Sequence, residues 1–405
     1  MPSSGGVDRV ADPQLIAQLI DGARRRAAFK LCDGAFRLLE RVTELEYLSS
    51  EDLMTSTPDY RVERFGAPER VRIDPPLTLE PSGLYQGLIG TWTLGPRWFV
   101  EMYEARLLGK RATAFTRSNA VIGESITSAN YHIDKAGVGV RALRQSLRRR
   151  ATLSRLEPAC TLVGLWSNQY FHWLVEHLPA LEALARYEAL RGQRLKIVID
   201  PQPPSWKLES LSLMGYSHED LIKWDGYGAR LPLLLVPGSP RHLCSPGRRF
   251  SMISPRALAW LRARVVDESV PRVSSPRRIL VSRGRSPGRR IVNENEVRAF
   301  LADRGFVSIC PEELTFVQQV ELFSQAEVVV GAHGGGLANI VFARNLKLVE
   351  LFGDYHNFSF FTLAASRGFA YGSLRCTPVR TPHPKRHDLR VSLAALDRLL
   401  DRMGV

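Results

Sequence analysis

From Thr161 onward, short apolar runs alternate with longer stretches whose apolar positions recur every three or four residues. The first pattern predicts buried strands, the second amphipathic helices. Thr161–Leu165, Lys196–Ile199 and Leu231–Val236 read as strands, with helices over His172–Leu190 and Trp206–Met214. A Pro-, Gly- and Arg-rich stretch, Pro237–Arg249, reads as a linker. The alternation then resumes, with strands at Arg278–Ser282, Phe306–Ile309, Ala326–Gly331 and Leu346–Leu351. Helices are predicted at Asn293–Asp303, Thr315–Ser324, Gly336–Ala343 and Val391–Met403. Asn293, with Glu296 three residues on, has the pattern of a helix cap.

The earlier chain differs. Leu15, Ile16, Leu19 and Ile20 share one helical face, so residues 13–50 read as helical. From Tyr60 to about Asn130, β-rich pieces lie between Pro and Gly punctuation. The expected architecture is α/β: two doubly wound, Rossmann-like units facing a cleft, over residues 151–250 and 251–405. A helical and β-rich extension over residues 1–150 precedes them and is expected to belong to the acceptor side.

Composition narrows the classes. Of 405 residues, 44% are hydrophobic and 24% charged, which excludes disordered and fibrous chains. The net charge of +14 is carried mainly by arginine, 47 against 8 lysines. Guanidinium suits forked binding of phosphate or carboxylate. The run Arg141–Arg150 reads as a solvated helix face, with contact to an anionic membrane face or acidic glycan as the alternative. Five scattered cysteines without a C-x-x-C pair argue against a disulfide framework or structural zinc and suit a cytoplasmic setting. No apolar run reaches the ~18 residues of a spanning helix.

Four segments carry candidate chemistry. In Val328–Asn339 an apolar strand runs into His333, Gly334, Gly335 and Gly336 and then a helix, which is what a phosphate or diphosphate needs. In Ile279–Glu294 a strand delivers Ser282 and Arg283 at its carboxyl end, and Arg285, Arg289 and Arg290 follow. Open α/β sheets bind ligands at such ends, so Arg283 and Arg290 are the expected diphosphate partners. In Asn168–Pro179, His172 and Glu176 are four apart on one helical face, and a carboxylate beside an imidazole suits a general base. His172 and His177 are five apart, which does not make a zinc pair. Glu350, at the end of an apolar strand, is a candidate for the hydroxyls of a ribose.

Two rival classes match parts of the sequence. Gly284–Gly288 matches G-x-S-x-G, but Pro287 after the serine has no N–H for an oxyanion hole, and the HGGG stretch follows the serine instead of preceding it. A hydrolase is rejected. Nucleic-acid or anionic-polymer binding without catalysis has only the charge to support it, and no nucleic acid is expected as partner.

Taken in order, Asn168–Pro179, Ser282–Glu294 and Gly331–Asn339 through Glu350 resemble glycosyltransferase family 61, over about residues 155–355. The resemblance implies a GT-B fold and an inverting mechanism. It further implies a nucleotide-sugar donor, weighted toward UDP, used without a metal or other cofactor. Asp-x-Asp is absent from the chain, which agrees. His172 with Glu176 would then supply the base, and Arg283, Arg290 and Gly334–Gly336 would hold the diphosphate. His333, Asn339 and Glu350 would line the nucleoside pocket, with Asn168 and Tyr170 on the acceptor side. Gly335 stands where the family often has Ala. Lacking the anchor of Golgi members, the chain is expected to be a bacterial-type, cytoplasmic enzyme of cell-surface polysaccharide synthesis, such as capsule or lipopolysaccharide. Its acceptor would be a glycan, glycolipid or protein.

Overall fold

Two sheets carry the parallel strands that the alternation predicts. The computed structural model describes residues 47–48, 53, 55–79, 83–125, 153–243, 251–268, 275–355 and 357–405. The Arg141–Arg150 run and, of the helix expected over residues 13–50, all but Tyr47–Leu48 lie outside the described residues; Tyr47–Leu48 pairs as a short strand with Val121–Ile122.

In the first sheet, Gly228–Pro237, Ala159–Thr161, Lys196–Ile199 and Leu221–Lys223 lie side by side in that order, all parallel. The sheet does not stop at the expected 150/151 boundary. Arg97–Leu108 runs antiparallel along Gly228–Pro237, and Tyr60–Phe65 pairs with Arg97–Leu108 in turn. The same N-terminal region reaches the other sheet, where Leu77 bonds the backbone of Tyr371 and Ser373 at the edge.

The second sheet holds five parallel strands: Phe306–Ile309, Arg278–Val281, Val328–Ala332, Lys347–Phe352 and Ala370–Arg375, in that spatial order. The chain reverses its direction of travel between Arg278–Val281 and Val328–Ala332. A crevice opens at the carboxyl ends of two strands related in this way. The last strand and the helix Ser359–Arg367 before it are additions to the sequence reading.

One apolar cluster lies between the sheets and joins both units. Trp173, Leu174 and Leu181 enter it from the first, Leu337, Phe342 and Phe361 from the second. Two further clusters cover the outer faces. The predicted helix over 172–190 is interrupted. Tyr170–His172 is α-helical, Trp173–His177 is a π-turn closed by Leu178 N–H to the Trp173 carbonyl at 2.8 Å, and Leu181–Arg191 is α-helical again. Pro179 has no N–H to continue the ladder. Thr315 caps its helix reciprocally with Gln318. Asn293 does not cap through its side chain; its amide instead clasps the backbone of Val391 at 2.9 and 3.0 Å.

Candidate active site

The switch point of the second sheet brings two of the predicted segments together. Val281 and Gly331 are partners in register, so Arg283 and His333–Gly334 leave the sheet side by side. A methyl group on Gly334 would lie 1.5 Å from Nη1 of Arg283. With φ of 176° the backbone here is ordinary extended chain; glycine is required for space. Gly336 is also tightly faced, by Pro311 and Val281 at 3.1 and 3.2 Å from such a methyl.

Arg283 is 8% exposed, and its guanidinium donates to the Gly288 carbonyl and the Ser286 hydroxyl, with no carboxylate hydrogen-bonded to it among the described residues. Burial, then the neighbouring Arg289 charge, pull its pKa down to about 10. A buried cation without a counter-ion gains most from an incoming anion.

Arg289 and Arg290 have different surroundings. Arg290 is half-exposed, and Asp388 takes its guanidinium at 2.8 Å and its backbone N–H at 2.9 Å. Arg289 has a left-handed backbone, φ 59°, and lies over the Tyr355 ring at 5.1 Å. Its Nε is buried without a hydrogen-bond partner. Burial lowers the pKa of this side chain also. Tyr355 in turn packs edge-on against His333 at 5.4 Å, which puts Arg289 on the same side of the loop as the imidazole.

His333 is closed on both ring nitrogens. Asn357 fixes the tautomer: its Oδ1 accepts the Ser359 N–H at 2.9 Å, so its Nδ2 donates to His333 Nε2 at 3.1 Å. Nδ1 therefore carries the proton and donates to Glu350. Glu350 is fully buried, and its other oxygen accepts the Tyr371 hydroxyl at 2.6 Å. It stands behind His333, between the imidazole and Tyr371. Burial, then the Glu350 charge, raise the Tyr371 phenol well above its ordinary value.

A second histidine–carboxylate dyad belongs to the first unit. His172 Nδ1 meets Glu176 Oε1 at 2.8 Å, as their spacing predicts. Its Nε2 has no hydrogen-bond partner among the described residues, and the ring packs on Trp166 at 4.4 Å and Phe171 at 5.4 Å. Glu176 Oε1 also accepts from Arg241 Nη1 at 2.6 Å. Burial pushes the Glu176 carboxyl up, but the His172 hydrogen bond and the Arg241 charge outweigh it and hold the pKa at about 2. Phe171 touches Phe360 at 5.3 Å, and Phe360 touches His333 at 5.1 Å, so the two dyads flank one aromatic cluster.

Three other expected residues have interior or supporting positions. The Tyr170 hydroxyl lies 2.6 Å from Asn339 Oδ1 and 2.9 Å from Gln319 Oε1, pinning the units together. Asn339 is fully buried and spends its amide on Gln319 and Gly336. Asn168 is exposed and accepts from the buried Lys207 at 2.7 Å. Arg241, Arg289, Asn357 and Tyr371 were not singled out from sequence. Arg241 lies in the stretch read as linker, which instead forms the hairpin strand Arg241–Leu243 against Ser251–Ile253.

Among the described residues, no group of three or more His, Cys, Asp or Glu side chains is placed to hold a metal ion. Nor is any helix among them long and apolar enough to cross a membrane. A cavity of about 50 Å³ lies at the carboxyl ends of the first sheet, between Thr161–Leu165 and Val236–Ser239, and is lined by Glu176 and His177.

Parallel α/β sheets of this kind are compatible with a Rossmann-like glycosyltransferase. The family model Glycosyltransferase 61 matches residues 170–349, and over them the chain is similar to that family. The protein is thus a transferase acting on a sugar donor and an acceptor. The match takes in both loop segments and His172, Glu176 and Arg241. No curated protein matches the chain.

Proposed function

We propose that the protein is an inverting glycosyltransferase that moves a sugar from a nucleotide-sugar, a UDP-sugar, to a hydroxyl of a glycan or glycolipid. The units would act in the GT-B manner, residues 151–250 supplying the base and 251–405 binding the donor. One observation carries the reading: a buried Arg283 guanidinium, without a salt bridge to a carboxylate among the described residues, lies against Gly334 at the switch point.

In this reading Arg283, Arg289 and the amides of Gly334–Gly336 receive the diphosphate. Preorganised donors of this kind contribute a few kcal/mol each to stabilising a leaving group. His172 Nε2 takes the proton of the acceptor hydroxyl as its oxygen bonds the anomeric carbon. On the opposite face the bond from that carbon to the phosphate oxygen breaks, and its electron pair leaves with the diphosphate. Glu176 stabilises the imidazolium that forms, while Glu350 and Tyr371 hold His333 as a neutral wall of the donor pocket. No metal or cofactor is assigned to the reaction. Cell-surface polysaccharide synthesis in a bacterial cytoplasm, with basic residues such as Arg141–Arg150 against an anionic membrane face, is the setting this reading favours.

A thermal-shift panel of nucleoside diphosphates and nucleotide sugars tests the proposal. Stabilisation by one nucleoside diphosphate and its sugar conjugates is expected. A chain indifferent to the whole panel but stabilised by nucleic acid or another polyanion would replace this reading with the non-catalytic one.

A further inference from the structure

Arg241 is 3% exposed and sits where the chain crosses from the first unit to the second. Its two terminal nitrogens point to different units. Nη1 donates to Glu176, and Nη2 lies 3.4 Å from the Ser359 hydroxyl at the start of the helix Ser359–Arg367. The guanidinium also covers the Phe171 ring at 5.4 Å. Ser359 N–H binds Asn357, and Asn357 binds His333. Hydrogen bonds thus run from Tyr371 through Glu350, His333, Asn357, Ser359 and Arg241 to Glu176 and His172.

This cation is an expensive way to fill a core. Its Nε–H is buried without a partner. A buried ion pair with an orphaned donor is commonly no more stabilising than apolar side chains of the same volume. Packing alone does not account for it.

We infer that Arg241 is a positioning residue for the His172–Glu176 dyad: it fixes the Glu176 carboxyl that orients the imidazole and adds a fixed positive charge beside it. The ionisable and charged groups gathered there are His172, Glu176, His177 and Arg241, with the Lys207–Asp200 pair beyond His177. A nearby cation disfavours a second one. A cation held against Glu176 therefore opposes a second charge on the imidazole and leaves Nε2 open to accept a proton. The consequence for catalysis rests on the transferase reading; the effect on His172 does not.

The test is an NMR titration of the full chain with ¹⁵N-labelled histidine, the His172 signal being identified by its loss in His172→Asn. In Arg241→Gln the His172 midpoint is expected to rise by about one pH unit. Arg241→Lys, which keeps the charge, is expected to stay within about 0.3 unit of wild type. Should the glutamine variant not fold, Arg241→Met is the second neutral variant. An unchanged midpoint in the neutral variant overturns the inference, as does a lysine variant that moves as far as the neutral one. If both neutral variants unfold while lysine folds, the charge is structural and the inference fails. Nucleoside diphosphate binding is measured on the same samples: its absence counts against the transferase reading and leaves the Arg241 result standing.

Discussion

The two units build the same device, a histidine whose Nδ1 faces a buried glutamate, and finish it differently. In the first, Glu176 is backed by the charge of Arg241, and His172 Nε2 has no hydrogen-bond partner among the described residues. In the second, Glu350 is backed by the Tyr371 hydroxyl, and His333 Nε2 is occupied by Asn357. Nδ1–carboxylate pairing alone therefore does not mark a base. A histidine can take a proton from substrate only if its far nitrogen has a vacant lone pair, and that criterion separates His172 from His333.

The sharpest way to break this contrast is His172→Ala. Transfer is expected to fall about 10²- to 10⁴-fold, the range of a lost general base, with UDP affinity within a few-fold of wild type. A large loss of UDP binding instead would move His172 to the donor side. Next comes Gly334→Ala, whose methyl would displace Arg283. UDP affinity measured by calorimetry should drop about tenfold or more, the worth of a charge-assisted hydrogen bond.

Acid stability gives a third comparison. Glu176 has a folded pKa of about 2 against an ordinary 4.5, so between these values the unfolded chain binds more protons. The stability it contributes is full above about pH 4.5 and is lost as the pH falls toward 2. Urea midpoints at about pH 6 and pH 3 should therefore fall further in wild type than in Arg241→Gln, where Glu176 returns toward the ordinary value. For the other dyad, Tyr371→Phe removes one donor from a buried carboxylate and should cost about 1–3 kcal/mol in the same unfolding measurement. Smallest is Arg290→Ala: its side chain is half-exposed and paired with Asp388, and UDP affinity should change less than about twofold, against a clear loss in Arg289→Ala.

What sequence could disclose was whatever chemistry is local. Val328–Gly336 reads as strand, glycine turn and helix because each signal lies within a few residues, and His172 with Glu176 follows from helical spacing. Register did the rest, setting Val281 beside Gly331 and so Arg283 beside Gly334. The failures come from long-range geometry. Which of two consecutive arginines turns inward depends on the positive φ of Arg289, and nothing in a string of arginines displays it. Arg241 looked like linker because its partners, Glu176 and Ser359, are far away in sequence. Glu350 ends an apolar strand in either reading; only the positions of His333 and Tyr371 show that its carboxylate is already taken.

The account turns on a diphosphate site made by Arg283 and the triple-glycine loop. Calorimetric titration of UDP into wild type and Arg283→Ala tests it most directly. Binding by wild type that weakens about tenfold or more in the variant is the predicted result. Equal affinity in the two proteins would contradict it.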